Sequence, residues 1–170
     1  MLNVLEAWFF IAAALLVLSG GSKIVDPAPT RGALAAAALP AGAWTAPTLG
    51  GIEIIAGIAA IVYGGWAAAS AGLIYAGFAG FVVYALVRRL PIQSCGCFGR
   101  SDTPPTWIHF GFNLVSAGAG FGLAVTGSAP LALLADQPLM GIPYLAFVGL
   151  GVAVAYLLLT ELPRLRAATR

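Results

Sequence analysis

The chain has 170 residues, 61% of them hydrophobic and only 8% charged, with a net charge of +2. So few charges cannot clothe a water-soluble globule of this length, and the composition specifies an integral membrane protein embedded in the lipid bilayer. The isoelectric point near 8.7 does not point to nucleic acid, because the basic residues are dispersed over membrane-flanking segments and form no basic surface.

In chain order, an apolar run from about Leu2 to Gly21 is long enough for one transmembrane helix, which needs about 20 residues. No basic residue precedes it and it carries Glu6, so it reads as a retained first span and not as a cleaved signal peptide. Ser22-Lys23-Ile24-Val25-Asp26-Pro27 ends it. Pro29 to Pro47 then brackets an alanine-rich stretch, Ala33 to Leu39, too short to cross; it is expected to lie in the interface as a short helix or re-entrant turn. From Ile54 to Val87 there is no charge. As one helix this run would far exceed the roughly 30 Å hydrocarbon core, so it must fold back. Tyr63-Gly64-Gly65-Trp66 is the expected hairpin, with glycines for the turn and aromatics for the interface.

The second and third spans are thus expected at about 49–64 and 66–87, followed by 107–126 and 142–160. Ser128 to Asp136 reads as another surface piece. The fold class is all-α: one helical-bundle domain, residues 1–170, of about five transmembrane helices. Small residues at helical spacing, Ala68, Gly72, Ala76 and Gly80 in the third span and Gly118 and Gly122 in the fourth, are a packing signal for close helix approach.

With these spans every Lys and Arg falls on one side, an eight-to-zero split. That places the N-terminus outside and the segment joining spans three and four in the cytoplasm of a multi-pass cell-membrane protein. The same end gathers Lys23, Glu53 about one turn into span two, and His109 with Asn113, four apart on one helix face. A carboxylate within an apolar span is costly, so Glu53 takes a functional or charge-paired role, the alternative being a solvated group at a helix start. Lys23 reads equally as a snorkelling topological anchor. His109 is either a proton acceptor beside thiols or a hydrogen-bonding contact to a neighbouring helix. Asn113 reads as an interhelical hydrogen-bonding residue, and Glu6, at the other face, has no assigned role.

Cys95-Gly96-Cys97-Phe98-Gly99 contains both cysteines of the chain. As a redox couple, a bridge between i and i+2 requires a tight turn, which Gly96 permits, and the small ring is strained and easily reduced. As a zinc site the two thiols would need His109, the one histidine of the chain, and a carboxylate such as Asp102. The third reading is two unpaired thiols that only pack.

Ser19-Gly20-x-x-Lys23 followed by Asp26-Pro27, a carboxylate early in the second span at Glu53, and Cys95-Gly96-Cys97-Phe98-Gly99 before the next helix resemble the MauE family of methylamine-utilisation membrane proteins, over roughly Leu2 to Leu123. That family is similar to the wider DoxX-like group of small redox-associated bundles, which implies a DoxX-like four-helix core. The resemblance implies a membrane partner for a thioredoxin-like protein, assisting disulfide formation or the maturation of an exported enzyme. In that scheme Cys95 and Cys97 cycle between dithiol and disulfide, and Glu53 and His109 manage protons. A quinone is the one cofactor the scheme admits, at the helix-lined end, with Lys23, Phe98 and Asn113 as its flanking residues. The rival is a non-catalytic accessory or anchoring subunit with structural or metal-binding cysteines. No oligomeric state is assigned.

Overall fold

The computed structural model describes residues 4–92, 94, 103–127, 131, 134 and 137–168. Among these the secondary structure is entirely helical: α1 (Val4–Val25), α2 (Ala28–Ala36), α3 (Thr45–Tyr63), α4 (Gly65–Val87), α5 (Trp107–Thr126), a 3-10 turn (Pro138–Gly141) and α6 (Ile142–Ala168). Five of these, all but α2 and the 3-10 turn, are long and apolar enough to cross a membrane.

Helix ends depart from the hydropathy edges for local reasons. α1 runs on through Lys23 because that side chain is buried at 3% exposure, so the polar residue that ends the hydropathy run does not end the helix. α3 begins at Thr45, before the expected start, because Pro47 falls in the first turn, where its missing N–H has no intrahelical acceptor to lose. Pro29 sits likewise in the first turn of α2. α2 closes with Ala38 in the left-handed region (φ 56) and the Leu39 N–H on the Leu34 carbonyl at 2.9 Å, a closure of the Schellman type. Between α3 and α4 the chain reverses on Gly64 (φ 62) and Gly65 (φ 46), dihedrals that a side chain would strain. Tyr63 and Trp66 flank this turn and are exposed. The expected surface piece from Ser128 to Asp136 falls almost wholly outside the described residues.

α1 packs against α3 and α5, α3 against α4, and α4 against α5, which closes a ring of four antiparallel neighbours; α6 lies outside, against α1. The core is built from Phe9, Ala13 and Leu16 of α1, Ala60 of α3, Ala68 and Tyr75 of α4 and Leu123 of α5. Aromatic polar atoms inside it are satisfied: the Trp8 Nε1–H donates to Ser116 Oγ at 3.2 Å, and the Tyr75 hydroxyl to the Ala12 carbonyl at 2.6 Å.

The small-residue stripe holds only in part. Ala68 and Gly72 face α5, where a Cβ on Gly120 would lie 2.8 Å from the Gly72 Cα. Ala76, Gly80 and Gly118 are exposed. A strict four-residue spacing turns about 40° further round the helix at each step, so it leaves the contact within two turns. The buried face of α4 instead follows Ala68, Ala71, Gly72, Tyr75, Ala79 and Val82.

Candidate functional site

The end of the bundle where α1 finishes and α3 begins contains a buried ion pair. Gly20 of α1 and Gly50 of α3 lie back to back: a Cβ on Gly20 would run into the Gly50 carbonyl oxygen, and a Cβ on Gly50 would meet the Gly20 carbonyl at 2.5 Å. With the backbones this close, the residue one turn further along each helix projects across its neighbour. Lys23 passes over Gly50 and Glu53 over Gly20, each Cβ 3.1 Å from the position a glycine Cβ would take. Their side chains meet with Lys23 Nζ 3.0 Å from Glu53 Oε2, at 3% and 0% exposure.

Removing two charges from water is expensive unless further hydrogen bonds compensate. Here Lys23 Nζ also donates to Ser19 Oγ at 2.6 Å and stands 5.4 Å from the centroid of the Phe78 ring, a cation–π distance. The Ser19 hydroxyl also neighbours the Glu53 carboxylate. Ser19 therefore accepts from the ammonium, and the three side chains form one cluster centred on Lys23. Glu53 Oε1 is the exception, buried with no hydrogen-bond partner among the described residues.

His109 and Asn113 enter from the first two turns of α5 and are both buried. His109 Nδ1 lies 2.8 Å from Thr106 Oγ1, and the ring also faces the backbone carbonyl of Leu159 in α6. That carbonyl has a particular need. Pro163 stands four residues on, inside α6, and has no N–H to give it, so the helix leaves the Leu159 oxygen without its intrahelical donor. The imidazole is the donor-capable side chain beside it.

Ser19, Tyr75, Phe78, His109 and Asn113 surround a cavity of about 20 Å³ between the two groups. Beyond Phe112 and Leu159, between α1, α5 and α6, lies a larger space of about 400 Å³, almost wholly apolar and walled by Trp8, Val115, Val154 and Leu158. Val115, Val154 and Leu158 are exposed, so this crevice opens sideways to lipid.

Of the residues singled out in the sequence, Lys23 and Glu53 are in direct contact, and His109 and Asn113 share the cavity wall with Ser19, the partner of that pair. Cys95, Cys97 and Phe98 lie outside the described residues, as does Asp102. The ends of the segment carrying them are anchored at this same end: Ile92 packs with Ala33 of α2 and Ala85 of α4, and Thr103 is buried. Among the described residues no three His, Cys, Asp or Glu side chains converge as a metal site would require. Gly50 and Pro163 carried no sequence signal of their own. The first needed the register of α1 on α3, the second the contact between α5 and α6.

Residues 1–130 match the family described as methylamine utilisation protein MauE. The chain belongs to the MauE family. The match takes in α1 to α5 and with them every group of the ion pair and cavity except Leu159; α6 lies beyond it. Comparison with curated proteins finds no match, and comparison with solved structures finds none either. This MauE-family chain is thus a multi-pass, all-helical membrane protein in which Lys23, Glu53, His109 and Asn113 are buried at one end of a four-helix ring.

Proposed function

We propose that this MauE-family protein is a thiol–disulfide relay of the cell membrane, in which Cys95 and Cys97 exchange electrons with a thioredoxin-like partner during maturation of an exported enzyme. The observation that carries the reading is the fully buried Lys23–Glu53 pair at the end of the bundle to which both roots of the cysteine-bearing segment are packed. An ionisable pair inside a membrane bundle marks a functional site far more often than it adds stability.

In the relay, a partner thiolate attacks the Cys95–Cys97 bridge and forms a mixed disulfide. A second partner thiolate then releases the loop as a dithiol, leaving the partner oxidised. Reoxidation removes two electrons and two protons, and a lipid-soluble quinone accepts both to become the hydroquinone. The apolar crevice open to lipid beside α5 and α6 supports access by such a carrier. Glu53 handles protons, while His109, set between Thr106 and the Leu159 carbonyl, acts by positioning α5 against α6. The described cations Lys23, Arg31, Arg88 and Arg89 lie at the cysteine end, which supports a cytoplasmic location for it.

The test is equilibration of the purified protein in glutathione buffers followed by thiol alkylation. Cys95 and Cys97 should titrate together at a potential well above the roughly −300 mV of structural disulfides, and single Cys95→Ala or Cys97→Ala variants should trap the partner as a mixed disulfide. Glu53→Gln should leave the protein folded but slow alkylation of the pair several-fold. Thiols that never oxidise, or stoichiometric zinc, give the site to the accessory-subunit reading, which the structural bonding of His109 favours. Growth of a deletion strain on methylamine tests whether the family's description extends to this chain. A membrane-impermeant thiol reagent applied to intact cells should fail to label the loop.

A further inference from the structure

The small cavity beside the ion pair has a chemistry that bundle packing does not explain. Asn113 is 6% exposed and its side chain lines the cavity, yet no described protein group hydrogen-bonds its amide. A primary amide brings two donors and one acceptor oxygen with two lone pairs. Leaving such groups bare in a membrane core is costly, and lipid offers them nothing. Ser19 lines the same cavity and, after accepting from Lys23, retains a lone pair on Oγ. The remaining wall is largely apolar, from Leu15, Leu16, Phe78 and Phe112. The volume of about 20 Å³ exceeds the roughly 10–15 Å³ that one water requires and is far too small for an organic ligand.

We propose that a single water molecule is bound in this cavity between the Asn113 amide and the Ser19 hydroxyl, and that it links α5 to the Glu53 carboxylate. The water gives Asn113 a partner and occupies the lone pair Ser19 has left. It also completes a chain along which a proton can move: a proton arriving at the water passes to Ser19 Oγ as the serine's own proton passes to Glu53, so each oxygen keeps its number of bonds. The use of such a path rests on the thiol-relay reading; the water does not.

Radiolytic footprinting of the full chain in lipid nanodiscs tests it, because X-rays split a bound water and mark the side chains touching it. Tyr75 lines the cavity, while Phe10, buried to a similar degree at 3% against 4%, does not. Tyr75 should be oxidised several-fold more than Phe10. Asn113→Leu, which places an apolar side chain in the cavity, should remove most of the Tyr75 signal without changing Phe10, and Asn113→Ser, small and polar, should keep it. Tyr75 labelled no more than Phe10 in the native chain, or equally in the Leu and native proteins, overturns the proposal. If the Leu variant does not fold, the native and Ser proteins decide, since loss of signal in Asn113→Ser also counts against it. A labelled Tyr75 with redox-inert cysteines would support the water and sink the relay; an unlabelled Tyr75 with a normal glutathione titration would do the reverse.

Discussion

α1 and α6 both cross the membrane, but they solve different problems. The crossing window of α6 is the more apolar, with mean hydropathy 2.2 against 1.9, yet only 11% of it is buried in the protein against 56% for α1. In water the more apolar helix would sit in the middle. In lipid the outside is as apolar as a leucine core, so hydropathy reports the crossing and says little about burial. The central helix is the one with reasons to touch protein: Gly20 to let α3 approach, Ser19 and Lys23 to bond across to Glu53, and Phe9 and Leu16 to fill the ring. α6 has few such reasons, and one polar group it offers the ring is the Leu159 carbonyl beside His109.

The strongest way to break this contrast is to remove half of the ion pair. Glu53→Ala strands the Lys23 ammonium in a closed site and should cost about 3–5 kcal/mol of bundle stability, whereas Lys23→Met combined with Glu53→Leu should recover most of the loss. Reversible unfolding in mixed micelles checks both. An equal loss in the double variant would mean that the charges themselves, and not their pairing, hold α1 to α3.

Leucine truncation sharpens the comparison at the next level. Leu16→Ala in α1, at 1% exposure, should cost about 2–5 kcal/mol, while Leu157→Ala in α6, at 54% exposure, should stay within about 0.5 kcal/mol. Comparable losses at both positions would show that α6 is covered by another protein surface.

The smallest effect isolates the attachment of α6. His109→Ala should cost about 0.5–2 kcal/mol, the range of interhelical hydrogen bonds in membranes. With Pro163→Ala as background, the helix regains an N–H for the Leu159 carbonyl, and His109→Ala should then cost measurably less. A double-mutant cycle with no coupling would remove Pro163 from the account.

The sequence made the crossings and the turn at Gly64-Gly65 legible because run length, charge and glycine are local properties. It also brought Lys23, Glu53, His109 and Asn113 to one end, since counting crossings is enough for that. It could not pair Lys23 with Glu53, because their meeting depends on the register that Gly20 and Gly50 impose between two antiparallel helices. Nor could it give His109 its carbonyl: the need is created by Pro163, far along the chain. The stripe of alanine and glycine in α4 misled beyond Gly72 because four-residue steps drift around a helix. Cys95 and Cys97 rest on sequence and family alone.

The turn at Gly64 and Gly65 also bears on how the chain is built into the membrane. From Ile54 to Val87 there is no charge, and the reversal takes place within two residues of positive φ. α3 and α4 can therefore enter the bilayer together as one hairpin, with only the aromatic tip of Tyr63 and Trp66 reaching the far surface and no hydrated loop to translocate. The polar work of the protein is then kept on the side from which it was inserted.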